Sequence, residues 1–239
     1  TNNCDIINQI INLRLERAQI LGFDSHAAYT LDDCMAKTPE AVFNLLYQVW
    51  TPAIAKAKAE AAEYQQMIKA EGNDFKLEPW DWRYYSEQLR KAKYDLNDDI
   101  IRPYLSLNNV KEGVFMVANK LYGITFEKNT NLPVYHPDVD AFEVKENGET
   151  IAILYMDYFP RESKRSGAWM TNFREQYIDN EGKNVIPVVS LVFNFTKPTA
   201  DKPSLLNFDE TETFFHEFGH GLHSIFSKCR FRSLSGTNV

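Results

Sequence analysis

The sequence predicts a mainly α-helical chain with a small β-sheet in its second half. Three observations carry this. Apolar residues recur at helical spacing through roughly the first half of the chain. Asn147-Gly148 then separates two apolar segments, the strongest short-range hairpin signal. A second helical pattern, rich in phenylalanine and histidine, closes the chain.

Taken in order, Ile6, Ile7, Ile10, Ile11, Leu13 and Leu21 mark a first helix, which Gly22 can end. Thr38-Pro39 starts another: a hydroxyl that caps free N–H groups, then a proline where its missing donor costs nothing. That pattern runs through Phe43, Leu46, Val49 and Trp50 to about Met67, with Gly72 as its stop. Pro52 is expected to kink or split it, because proline removes a donor and clashes with the preceding turn. Further helices are expected over 81–93 and from a cap at Asn108 or Asn109 to Tyr122, stopped by Gly123. Trp80, Trp82, Tyr84 and Tyr85 read as helix–helix packing.

After Ile124 the pattern changes. A type I′ turn at Asn147-Gly148 should join a strand over 141–145 to one over 150–159. The second is apolar on nearly every residue, so it should be interior and buried on both faces. Residues 188–195 read as another strand, and 196–204, with Pro198 and Pro203, as a surface loop. Asp209 and Glu212 resemble a capping box, placing the last helix start near 209.

That helix contains His216-Glu217-Phe218-Gly219-His220, an H-E-x-x-H sequence. Imidazoles four residues apart stack on one helical face and can grip one metal ion, zinc by this motif. Both must be neutral to do so, and Glu217 between them is placed to deprotonate an attacking water. Catalytic zinc takes three protein ligands, and only two are visible in this sequence. His223 shares the face of His216 but lies about 10 Å along the axis, too far for one ion to take both. It is expected to pack. His26 and His136 are isolated in sequence.

Composition sets limits. The chain has 239 residues, 44% hydrophobic, with a formal charge of -7. That charge argues against a nucleic-acid partner, which needs a basic face. No apolar run approaches the ~20 residues that span a bilayer. Cys4, Cys34 and Cys229 form no disulfide framework, so the expected compartment is the cytoplasm, with the periplasm an alternative. The chain opens at Thr1, and truncation at both ends is expected.

Several stretches together resemble the thimet oligopeptidase family of zinc metallopeptidases, most closely its bacterial peptidyl-dipeptidase (dipeptidyl carboxypeptidase) branch. They are 13–18 with 21–23 and 35–40, Trp80-Asp81-Trp82-Arg83-Tyr84-Tyr85, and Tyr135-His136-Pro137-Asp138-Val139. Lys164-Arg165-Ser166-Gly167-Ala168-Trp169-Met170, the 215–223 helix and Ser235-Gly236-Thr237-Asn238 complete the set. The resemblance implies an incomplete zincin-like oligopeptidase (neurolysin-like) fold. Residues 1–134 would form a helical scaffold, and 135–239 the N-terminal part of the catalytic region. It implies His216 and His220 as zinc ligands, Glu217 as general base, and one Zn2+ per complete site. The third ligand would come from the rest of the parent polypeptide, in an Asp-Phe-Val-Glu run downstream, leaving residues 1–239 inactive alone.

Substrates would be short peptides, losing C-terminal dipeptides. An oligo-endopeptidase, a non-catalytic peptide-binding module with a vestigial metal helix, and a structural zinc clamp are the alternatives. Gly167 and Ala168 are the implied substrate-binding residues, small enough for a peptide backbone to approach. Arg161, Lys164 and Arg165 read as a solvated charged loop, or alternatively as a site for the substrate carboxylate.

Overall fold

The computed structural model describes residues 2–94 and 98–238. Two compact units are present, Thr1–Asp95 and Leu96–Val239. The boundary expected at 134/135 lies inside the second unit.

The first unit is helical throughout. Helix α1 (Cys4–Ile20) ends at Leu21, with Gly22 in the left-handed region as expected. The short α2 (His26–Leu31), capped by the Ser25 hydroxyl, is additional to the helices expected above. In α3 (Pro39–Ala70) the Thr38 hydroxyl accepts from the Ala41 N–H at 3.2 Å. The helix runs through Pro52 without a break, contrary to the split considered above. One missing donor is a local loss in a helix of 32 residues, and Thr51 donates its hydroxyl to the Tyr47 carbonyl one turn earlier. Helix α4 (Trp82–Tyr94) packs on α3 through Tyr64, Ile68 and Tyr85, with Trp82 edge-on to Tyr64 at 5.0 Å. Only half of the aromatic cluster packs in this way, because Trp80 is 79% exposed and Tyr84 is also exposed.

The second unit begins with α5 (Asp98–Ile101) and then α6 (Leu107–Tyr122). Ser106, not Asn108 or Asn109, caps α6, and Gly123 closes it. A five-stranded sheet follows, in the order β1-β2-β3-β7-β4. Its strands are β1 (Thr125–Lys128), β2 (Val139–Glu146), β3 (Glu149–Asp157), β4 (Trp169–Arg174) and β7 (Val188–Val192). A separate small ladder pairs β5 (Tyr177–Ile178) with β6 (Asn184–Val185). Asn147 and Gly148 both have positive φ, 52° and 85°, as a type I′ turn requires. Strand β3 lies between β2, antiparallel, and β7, parallel, and is buried along most of its length.

The last helix, α7 (Phe208–Ile225), is capped by Asn207, two residues before the expected Asp209. Asn207 Oδ1 accepts from the Glu210 N–H at 2.7 Å, and Glu210 Oε2 accepts from the Asn207 N–H at 2.8 Å. Phe214, Phe218 and Ile225 of α7 pack with Val110 and Val114 of α6 against Leu154, Met156, Val189, Leu191 and Phe193 of the sheet region. By alternation, Tyr155 and Asp157 face the other side of the sheet, where Tyr155 packs with Val139 and Ala141.

Candidate metal centre

The face that α7 buries decides the face it presents. Phe214, Phe218, Gly221 and Ile225 lie toward the sheet, and a Cβ on Gly221 would meet Leu191 Cδ2 at 3.2 Å. Glycine therefore lets the helix approach β7 closely. His216, Gly219, His220 and His223 are left exposed. Glu217 sits at the margin, 9% exposed on the same turn.

His216 and His220 meet as their spacing requires. Their Nε2 atoms are 3.1 Å apart and their rings are nearly perpendicular, 86°, with centroids at 4.7 Å. Two imidazole nitrogens this close share either a proton or a cation. On a tetrahedral zinc with Zn–N bonds of about 2.0–2.1 Å, two nitrogens stand about 3.3 Å apart. The separation of the pair is therefore close to that of two ligands on one zinc ion. Among the described residues, no group of three or more His, Cys, Asp or Glu side chains gathers to hold a metal. His223 lies apart from the pair, on an open groove with Tyr122, Leu222, Phe226 and Cys229.

Strand β4 is the sheet edge beyond β7, and α7 packs against both strands. Gly167 and Ala168 immediately precede it. Gly167 has φ +94° with nothing within 4 Å of an added Cβ, so backbone conformation, not crowding, calls for glycine. Ala168 packs against the main core.

Two of the three cations, Arg161 and Lys164, are neither solvated nor free for a substrate carboxylate, whereas Arg165 is exposed. Arg161 and Lys164 are both committed to Asp157, whose side chain is 1% exposed, and the Lys164 side chain is 2% exposed. Arg165 lies over the Trp169 ring at 5.8 Å. Burial pushes the Asp157 carboxyl up, but Arg161 and Lys164 outweigh it and hold the group below the usual carboxylate range. Burial dominates for Lys164, whose ammonium is shifted down despite its partner. Both shifts record one buried pair in which desolvation opposes attraction. Sequence reading missed Asp157. Its signal was an acid at the end of an apolar strand with cations four and seven residues on.

A helix carrying H-E-x-x-H, packed on a mixed sheet whose last strand is β4, is consistent with a zincin-like oligopeptidase fold. The chain belongs to peptidase family M3, whose family model matches residues 1–239. It is 44% identical to the dipeptidyl carboxypeptidase of Escherichia coli over 236 residues, 98% of this chain and 34% of that protein. Identity to oligopeptidase A of the same organism is 38%, over 98% of this chain and 35% of that protein. Thimet-like oligopeptidase of Dictyostelium discoideum is 30% identical, over 99% of this chain and 37% of that protein. The chain spans about a third of the length of these relatives. Family M3 is generally zinc-dependent.

Proposed function

We propose that this chain carries the two-histidine half of a zinc peptidase site, in a protein that cleaves short peptides and releases C-terminal dipeptides. The observation that carries it is the 3.1 Å approach of the His216 and His220 Nε2 atoms, with Glu217 on the same turn. When bound, zinc supplies a Lewis acid that lowers the pKa of water to about 7 and polarises the scissile carbonyl. His216 and His220 would hold it, since neutral imidazoles coordinate zinc, and the third ligand would be a carboxylate from polypeptide outside residues 1–239. Glu217 takes the proton of the attacking water and passes it to the leaving amine. Near-burial keeps its carboxylate among few competing partners. The main chain at Gly167 and Ala168, leading into edge strand β4, aligns the extended peptide. Region 135–239 is accordingly the first part of a zincin catalytic region.

Dipeptide release is preferred because identity is higher to dipeptidyl carboxypeptidase than to oligopeptidase A, 44% against 38% over equal spans. Oligo-endopeptidase activity is the second reading, supported by that 38% match. The three cysteines form no disulfide, which fits a cytoplasmic protein.

Hydrolysis of a blocked-N-terminus peptide by the full-length protein tests the reading. Mass spectrometry should find C-terminal dipeptides, and Glu217→Gln should lower kcat by at least about a hundredfold. Equal rates in the two proteins would end the peptidase reading, and internal cleavage alone would select the endopeptidase. Calorimetry on residues 1–239 should find only weak zinc binding, lost in His220→Ala. Tight stoichiometric binding would contradict the two-ligand site.

A further inference from the structure

Asp157 ends β3 on the face turned away from α7 and draws Tyr135, Arg161 and Lys164 to its carboxylate. Oδ1 accepts from Arg161 Nη1 at 2.9 Å and Lys164 Nζ at 2.8 Å. Oδ2 accepts from Arg161 Nη2 at 2.8 Å and from the Tyr135 hydroxyl at 3.0 Å. Lys164 also donates to the carbonyls of Asp157 and Phe159, at 3.1 Å and 2.8 Å. The first half of the loop between β3 and β4 is therefore tied to the end of β3.

A second anchor ties the other half to the segment after β7. Asn194 Nδ2 donates to the carbonyl oxygens of Arg165 and Gly167, at 2.9 Å and 2.7 Å. Tyr135 joins the first anchor to β4 itself. Its ring lies against Phe173 at 5.9 Å and beneath the Arg161 guanidinium at 5.8 Å.

Buried ion clusters are poor sources of stability, since well-packed apolar groups of equal volume do as well. Their better-attested use is to select one arrangement, and here that arrangement is the entry to the free edge of the sheet. We propose that Asp157 and Asn194 are positioning residues, which fix the bend at Gly167 that leads through Ala168 into edge strand β4, and so the alignment of the edge that receives a peptide backbone. This rests on the reading of β4 as the peptide-binding edge. A loop left loose would have to be ordered at each binding event, and ordering one or two residues weakens binding about tenfold or more.

The test uses the full-length protein in the Glu217→Gln background, where peptide binds without being cleaved. Calorimetry with a substrate peptide should give a Kd raised about tenfold by Asn194→Ala, with Tm unchanged. Asp157→Asn should raise it at least as much, with a lower Tm. Acetohydroxamate, which chelates the metal without reaching β4, should bind all three proteins equally. With Glu217 restored, Asn194→Ala should raise KM about tenfold and change kcat less than about twofold. Unchanged peptide Kd in Asn194→Ala would overturn the proposal, as would equal weakening of peptide and hydroxamate. Peptidase activity that ignores Glu217 sinks the functional reading instead, and the same Kd comparison made with a non-hydrolysable reduced-amide peptide then decides this one.

Discussion

Within residues 1–239 the two units bury their apolar residues to different extents. In the second, the large side chains converge: Phe193, Phe214, Leu154, Met156 and Leu191 are all fully buried between sheet and helices. In the first, the buried cluster is Tyr64, Ile68 and Tyr85, while Ile6, Ile7, Ile20, Phe43, Leu46 and Trp50 stand exposed. Helical periodicity marks both Phe214 on α7 and the exposed stripe of α1 and α3. An apolar stripe therefore reports that a helix has a face to bury, and only topology says what buries it. The His216–His220 pair sits on the unit whose core closes, and fixed distances at a site depend on such a core.

The sharpest way to break this contrast is to delete one large side chain in each unit. Phe214 has Phe193 edge-on at 4.8 Å and Phe195 at 6.0 Å, with no exposed surface. Phe214→Ala should cost about 3–5 kcal/mol in denaturant unfolding. Leu46→Ala, at a side chain 53% exposed, should cost within about 0.5 kcal/mol. Comparable losses would mean that α3 is packed more tightly than its exposure shows.

Charge sharpens the same contrast. The ion pairs of the first unit, such as Lys93–Glu63 and Lys56–Glu60, are exposed, whereas Asp157 and Lys164 are buried. The Asp157 carboxyl is held below its ordinary value, so the folded state binds its proton less readily than the unfolded state. Its stabilisation is complete above the ordinary carboxylate range, near pH 4, and is lost as pH falls through the lower folded value. Unfolding at stepped pH should show Asp157→Asn less stable at neutral pH and flatter in that acid window. Parallel profiles for the two proteins would contradict the sign.

How much of this the sequence carried depends on the range of the cause. The histidine pair needs only a helix, since four residues return a side chain to the same face, and it was legible in full. The hairpin was too, because Asn147 and Gly148 tolerate the positive φ that the turn imposes. Strand β4 was not among the expected strands: it lies at an edge with mixed burial, where alternation is weak. The Asp157 cluster was invisible as such. Its members are separate charges until β3 ends where the Tyr135 segment passes.

The smallest expected effect isolates what the two units share. Asn207 and Thr38 cap α7 and α3 through the same device, a side-chain oxygen accepting an N–H three residues on. Such bonds satisfy donors that the helix leaves free, whatever core the helix packs on. Asn207→Ala and Thr38→Ala should therefore each cost about 1 kcal/mol. The α7 change falls at the upper end, because removing the Asn207 side chain also loosens the reciprocal bond from its own N–H to Glu210. Hydrogen exchange of the first-turn amides reads each helix start separately. Similar local loss in both, beside the large disparity between Phe214 and Leu46, would locate the difference between the units in tertiary packing. A much larger loss in α3 would instead show that the first unit depends on helix propensity where the second depends on its core.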